Sequence, residues 1–118
     1  MKKFLKGFYF AFNGIRYSFR TQLNFRIHCL ITLLVISLCF YLRLSTVEWL
    51  WIIAAMATVF IAELFNTAME TFVDLVSPEF NPKAGLIKDI SAAAVLIATV
   101  MALITGILIL LPKIIDAS

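Results

Sequence analysis

The fold is decided by the stretch ISAAAVLIATVMALITGILILL, residues 90–111, which contains no charged side chain. At a helical rise of about 1.5 Å per residue, a helix of this length crosses a hydrocarbon core of roughly 30 Å. So long an apolar run cannot lie on a water-exposed surface. It predicts a membrane-spanning helix.

Two further stretches, Cys29–Leu42 and Trp49–Ala62, are also free of charge. The whole chain is 63% hydrophobic and 14% charged, with a mean hydropathy of +1.01, which excludes an ordinary soluble domain. We therefore expect a single all-α membrane domain over residues 1–118 with three transmembrane helices. Their expected ranges are about 26–44, 46–76 and 86–112.

The first 22 residues form an amphipathic pattern rather than a span. On a helical wheel the apolar side chains fall in an arc of about 100°, and the basic ones lie on the remainder. The apolar set is Phe4, Leu5, Phe8, Phe12, Ile15 and Phe19, and the basic set is Lys2, Lys3, Lys6, Arg16 and Arg20. The pattern predicts an interfacial helix that binds anionic headgroups, and it leaves open whether some cations also face a polyphosphate.

The distribution of positive charge predicts the orientation of the spans. If they alternate, only Arg43 and Lys113 lie on one side, and the other basic residues lie on the opposite side. By the positive-inside rule the N-terminus and the loop of residues 77–88 are cytoplasmic, as in a multi-pass protein of the cytoplasmic (inner) membrane. Turn signals in that loop predict that the chain re-enters the membrane near Leu86.

A polar stripe follows the second apolar stretch. Its members share one helical face and are Glu63, Asn66, Thr67, Glu70 and Asp74. A carboxylate at membrane depth costs about 2.5 to 3.5 kcal/mol, so these groups require a metal ion, a lysine, a proton or water nearby. Such residues can simply bind neighbouring helices, but so many at this spacing favour a functional site.

A second polar group, Lys88-Asp89, is expected in the first turn of the last span. Free backbone amides there could hold a phosphate, although Lys88 could equally reach the headgroups and Asp89 could cap the helix. Phosphoryl transfer needs a metal held by oxygens, a cation on the phosphates and an acceptor for the hydroxyl proton. Glu70, Lys88 and Glu63 could supply these three, and the substrate would then be a lipid alcohol, although composition and spacing by themselves show a buried acidic site and not a kinase.

Other sites are not indicated by the sequence. The four glycines form no nucleotide-binding loop, and the single histidine and two cysteines lack metal-ligand spacing. His28 is read as a marker of the end of the first span. The rival hypothesis is a small oligomeric ion channel or proton-coupled transport protein whose path the acidic stripe would line, and a purely structural subunit is a third. No nucleic acid partner is expected.

The stripe and the later motif together resemble the prokaryotic diacylglycerol kinase and undecaprenol kinase family. The matching pattern is Glu63-x-x-Asn66-Thr67-Ala68-x-Glu70-x-x-x-Asp74 followed by Lys88-Asp89-x-x-Ala92-Ala93-Ala94-Val95. The resemblance covers nearly the whole chain. It implies a homotrimer of three-span subunits that uses ATP and Mg²⁺ to phosphorylate a membrane lipid hydroxyl.

The resemblance also implies residue roles. Glu63 matches the general base, Glu70 a metal ligand, and Asp74 a further polar site residue. The nucleotide and phosphate contacts correspond to Lys6, Asn66, Lys88 and Asp89, with Lys3 as an additional cation.

One departure from the family pattern is Gln22, which stands where the family usually has a second metal-binding glutamate. Its side-chain oxygen can still bind Mg²⁺, but with one negative charge fewer. The nearby Asn24-Phe-Arg-Ile-His28 sequence is closer to the undecaprenol kinase branch, so undecaprenol is slightly favoured over diacylglycerol as the substrate.

Overall fold

The computed structural model describes all 118 residues of the chain and contains four α-helices. They are α1 (Lys2–Thr21), α2 (Leu23–Tyr41), α3 (Thr46–Val76) and α4 (Pro82–Ala117). The last three are long and apolar enough to cross a membrane. The prediction of an all-α membrane protein with an amphipathic arm and three spans is therefore confirmed.

The break between α1 and α2 is a single residue, Gln22. Its backbone is extended, with φ −112° and ψ 112°, so the helical hydrogen bonds stop there and the chain changes direction. Ser18, in the last turn of α1, is 2% exposed and lines a groove between α1 and α3. The arm is thus attached to the bundle at its C-terminal end.

The turn between α2 and α3 is closed by backbone hydrogen bonds. Arg43 N–H donates to the carbonyl of Phe40 (3.3 Å), and Leu44 N–H donates to that of Cys39 (3.4 Å). These two bonds make a Schellman motif, which needs a left-handed residue after the helix. Arg43 takes that conformation with φ 54°, although glycine is the usual residue there.

The start of α3 is capped reciprocally by its own side chains. Glu48 N–H donates to Ser45 Oγ and Ser45 N–H donates to Glu48 Oε1, each over 3.3 Å. This capping box satisfies two backbone donors that the first turn would leave free. Glu48 Oε2 also lies 3.3 Å from Lys113 Nζ, which joins the start of α3 to the end of α4.

The last helix begins at Pro82, earlier than the expected position near Leu86. Asn81 Oδ1 accepts a hydrogen bond from Lys83 N–H (2.9 Å), and Pro82 suits the first helical position because it has no N–H to satisfy. The helix therefore begins at the Asn81 cap, and Gly85, which was expected to mark a turn, lies inside the helix. The helix also continues past Pro112 to Ala117, a tolerance that membrane helices commonly show.

The packing within one chain is sparse. Only 12 of 118 residues are buried, and most large apolar side chains face outward, as expected when lipid is the solvent. The main helix pair is α3 with α4, while α2 packs on α3 and makes little direct contact with α4. A small core of Cys39, Leu44, Ile52 and Leu110 closes the end of the bundle where α2 turns into α3.

The capping box predicts the effect of a single substitution at that turn. Ser45→Ala removes a side-chain acceptor at the N-cap and should lower the free energy of unfolding by about 1 kcal/mol. Denaturant titration of purified protein in detergent micelles would measure this difference. Thr46→Ala is the matched control, because the neighbouring Thr46 side chain makes no hydrogen bond in the structure. Equal losses in the two variants would contradict the role of the cap.

Candidate functional site

The polar stripe of α3 runs from a buried end to an exposed end. Glu63 is 2% exposed and Asn66 is 8% exposed, and both belong to the second half of the helix. Glu70 is half-buried, and the side chain of Asp74 is 67% exposed. The helical period predicts this shared face, and the structure shows that its deep end faces the other helices. The stripe therefore links the bundle interior to the charged end, which we define as the end that carries Asp74 and Lys88.

Glu63 lies next to a histidine of another helix. His28 Nε2, on α2, is 3.3 Å from Glu63 Oε1, and the His28 side chain is 18% exposed. The pair is close but not aligned as a hydrogen bond, so Glu63 Oε1 is a buried oxygen without a hydrogen-bond donor. Thr67 Oγ1 does not serve it, because that hydroxyl donates to the backbone carbonyl of Glu63 (3.0 Å).

The apolar surroundings of this pair keep α2 against α3. The rings of Phe25 and Phe60 pack edge to face with centroids 5.3 Å apart, and Phe25 is 4% exposed. Phe25 and Phe60 lie one helical turn before His28 and Glu63 on their respective helices. Aromatic packing thus holds the two helices at the separation that brings the imidazole to the carboxylate.

Asn66 and Glu70 form the next step of the stripe. Asn66 Nδ2 donates to Glu70 Oε1 over 3.1 Å, a contact between residues four apart on one helix. Asn66 Oδ1 is buried and has no donor. The Asn66 amide therefore fixes one oxygen of the Glu70 carboxylate and keeps its own oxygen without a partner.

The donors in this region suit Mg²⁺. The ion prefers oxygen ligands and is usually held by one or two carboxylates together with waters and substrate phosphates. Glu70 supplies a carboxylate, and the amide oxygen of Asn66 lacks a partner. No three histidine, cysteine or acidic side chains cluster tightly enough to enclose a metal. The set therefore fits an ion whose remaining ligands come from the nucleotide.

Asp74 and Lys88 join α3 to α4 at the charged end. Lys88 Nζ donates to Asp74 Oδ1 over 2.6 Å, and the side chain of Lys88 is 40% exposed. Because α4 starts at Pro82, Lys88 and Asp89 lie in its second turn, and the expectation that they occupy the first turn is wrong. Their backbone amides are therefore not free to bind phosphate. Any phosphate contact at Lys88 must come from its ammonium group.

Three other predicted site residues form no side-chain hydrogen bond or ion pair with the polar stripe or with Lys88. Lys6 is exposed on the N-terminal half of α1, and Asp89 is exposed without an ion pair. Gln22 is half-buried at the α1–α2 junction and makes no hydrogen bond to Glu70. The structure of one chain thus brings together Glu63, Asn66 and Glu70, and separately Asp74 with Lys88.

An apolar groove opens beside the buried end of the stripe. It is bounded by α2, α3 and α4, its volume is about 450 Å³, and His28 is among the residues that line it. Its other lining residues include Thr32, Met56, Val59, Leu103 and Gly106, so nearly all of its surface is hydrocarbon. The groove exists because α2 and α4 both pack on α3 but hardly on each other.

The sequence interpretation missed His28 as a member of this cluster. It was read as a marker of the end of the first span, whereas its ring points to the most buried carboxylate of the chain. The available signal was its position. Counted from Tyr41 and Thr46, on the two sides of the α2–α3 turn, His28 and Glu63 lie 13 and 17 residues along their helices, so their depths are similar.

Comparison with known proteins identifies a family for this chain. The chain matches the family described as prokaryotic diacylglycerol kinase over residues 9–110. It is 38% identical over 113 residues to an undecaprenol kinase of Bacillus subtilis (strain 168), covering 96% of this chain and 92% of that protein.

Two further relatives carry the name diacylglycerol kinase. The one from Synechocystis sp. is 38% identical over 113 residues, which cover 95% of this chain but 65% of the relative, so this chain spans just under two thirds of it. The one from Escherichia coli (strain K12) is 29% identical over 108 residues, covering 92% of this chain and 88% of that protein. These matches, together with the three spans and the polar stripe, show that the chain belongs to the prokaryotic diacylglycerol kinase family of membrane lipid kinases.

Proposed function

We propose that this chain transfers the γ-phosphoryl group of ATP to the hydroxyl of a membrane lipid at the cytoplasmic face of the membrane. The observation that carries the proposal is the position of Glu63, a carboxylate that is 2% exposed and contacts His28, a residue that lines an apolar groove. Burying an acid at membrane depth costs free energy, so such a residue is a candidate for a functional site. An ion channel does not account for the Asp74–Lys88 pair next to the acidic residues, nor for the kinase family.

The proposed mechanism assigns Glu63 as the general base. Its carboxylate would accept the proton of the lipid hydroxyl as that oxygen attacks the γ-phosphorus, and the phosphorus–oxygen bond to ADP would break. The apolar groove would hold the lipid chain and exclude water, so that the lipid alcohol rather than water meets the phosphate. Glu63 lies about 10 Å deeper than Glu70 along α3 by helical rise, so a lipid from the bilayer side and a nucleotide from the charged end could meet between them.

The nucleotide would be bound toward the charged end. Glu70, oriented by Asn66, would hold Mg²⁺ with Gln22 as a second oxygen ligand, and the metal supplies charge neutralisation on the phosphates. The ammonium group of Lys88 would move from Asp74 to the phosphate oxygens. Both side chains are exposed enough for this change of partner. Lys6 and Asp89 would complete the nucleotide site.

The orientation and assembly are part of the same proposal. Basic residues of the arm and of the α3–α4 connection belong to the charged end, which favours a cytoplasmic location for it. A homotrimer would cover the outward-facing apolar surfaces that one chain leaves exposed. It would also allow Lys6 of one subunit to approach the site of a neighbour.

Removal of either acidic group tests the assignment of the site. Glu63→Gln and Glu70→Gln should each lower lipid phosphorylation by about a hundredfold or more, because they remove the base and the metal ligand. The measurement is transfer of label from γ-labelled ATP to undecaprenol or diacylglycerol in mixed micelles with Mg²⁺. Glu79→Gln, a loop residue that is exposed, is the control and should be fully active. Full activity of assembled Glu70→Gln would remove the metal assignment.

The unusual Gln22 gives a second test. Gln22→Glu adds a carboxylate near the expected metal and should lower the Mg²⁺ concentration that gives the half-maximal rate, by several-fold. Asn24→Asp adds the same charge two residues later on an exposed position and serves as the control. An unchanged requirement in Gln22→Glu, or an equal decrease in both variants, would contradict the placement of Gln22 at the metal.

The choice of lipid can be measured directly. We expect kcat/KM to be higher for undecaprenol than for diacylglycerol, following the similarity around Asn24–His28 and to the Bacillus subtilis undecaprenol kinase. Diacylglycerol is the second candidate, because the Synechocystis diacylglycerol kinase is equally identical. The two lipids should be compared at equal mole fraction in the same micelles. A higher kcat/KM for diacylglycerol would reverse the assignment.

A further inference from the structure

His28 is the one histidine of the chain, and it contacts the residue proposed as the base. Its Nε2 lies 3.3 Å from Glu63 Oε1, and the two side chains are 18% and 2% exposed. His28 also lines the apolar groove beside Glu63. It therefore touches the two features on which the proposed transfer depends, and no role has yet been given to it.

The remaining neighbours of Glu63 provide no donor to Oε1. Asn66 donates its amide to Glu70, and the Thr67 hydroxyl donates to the backbone carbonyl of Glu63. Oε1 is consequently buried without a hydrogen bond, and His28 Nε2, at 3.3 Å, is within donor distance of it. Catalytic hydrogen bonds are often long or misaligned before substrate binds, and they tighten in the complex.

Such a contact would decide which way the carboxylate points. A glutamate side chain has three rotatable bonds, and an apolar groove alone provides nothing to hold its oxygens in one direction. A donor at Oε1 leaves Oε2 available to the incoming hydroxyl. A base that is fixed within a few tenths of an ångström of the productive geometry works far better than a mobile one.

We propose that His28 is a positioning residue that donates its Nε2–H to Oε1 of Glu63 and so directs Oε2 to the lipid hydroxyl. This inference rests on the proposed role of Glu63 and extends it to α2. It places the neutral Nε2–H tautomer of the imidazole in the active enzyme. His28 acts through Glu63, and it takes no part in holding the metal or the nucleotide.

Three substitutions separate a positioning donor from a space-filling side chain. The amide nitrogen of glutamine occupies nearly the position of imidazole Nε2, whereas that of asparagine corresponds to Nδ1, and phenylalanine has no donor. We expect His28→Asn and His28→Phe to lower kcat at least about tenfold with the lipid KM changed less than about twofold, and His28→Gln to recover most of the rate. Ser37→Ala, at an exposed position of α2 that does not line the groove, should match the wild type.

A second measurement does not depend on activity. Because the chain has one histidine, ¹⁵N-histidine labelling gives a single pair of ring nitrogen signals, provided that the affinity tag contains none. Glu63→Gln should shift these signals and change the tautomer ratio, and Glu79→Gln should leave them unchanged. Identical spectra for the wild type and Glu63→Gln would overturn the contact.

The outcomes distinguish this inference from the proposed function. Wild-type kcat in His28→Phe, with activity lost in Glu63→Gln, would overturn the role of His28 and leave the kinase proposal intact. Equal losses in His28→Gln and His28→Phe would overturn the donor role in the same way. Wild-type activity in Glu63→Gln would overturn the proposed base itself, and the positioning role with it.

Discussion

The burial of the Glu63 carboxylate among apolar helices is the constraint to which the rest of the site responds. A charged or hydrogen-bonding group at this depth destabilises a membrane helix unless other groups compensate it. Compensation increases along one face of α3, from the 2% exposed Glu63, whose Oε1 has no donor, through the Asn66–Glu70 hydrogen bond, to the exposed ion pair of Asp74 with Lys88. Polarity thus increases from the interior to the charged end without a break.

The packing of the helices makes that gradient accessible from two directions. Polar contacts join α3 and α4 near both ends, through Glu48 with Lys113 and Asp74 with Lys88, and these helices form the main pair of the bundle. The remaining span, α2, meets α3 near the Phe25–Phe60 contact and stays away from α4. The resulting groove is open to the apolar side, while the stripe is open to the charged end. In the proposed function, a lipid and a nucleotide would therefore reach the same carboxylate by separate routes.

Membership of a lipid kinase family is compatible with a chain this short because most of the chemistry is positioning. Phosphoryl transfer requires few groups, provided that they are held in fixed relation to each other. In the proposed site one helix would supply Glu63, Asn66 and Glu70, and its own periodicity sets their spacing. The neighbouring helices add one residue each to this frame, His28 from α2 and Lys88 from α4.

The number of spans, the amphipathic arm and the shared face of Glu63, Asn66, Glu70 and Asp74 were all readable from the sequence, because charge-free length and helical period are local properties. The specific spacing of the stripe and of Lys88-Asp89 also predicted the family. The start of α4 was not readable, since the Asn81 cap and Pro82 compete with the turn signal at Gly85. The His28–Glu63 and Asp74–Lys88 contacts could not be predicted from the sequence either. They depend on the rotation and depth of each helix relative to its neighbours. A one-dimensional pattern fixes which residues share a face, and only the packing of whole helices decides what that face meets.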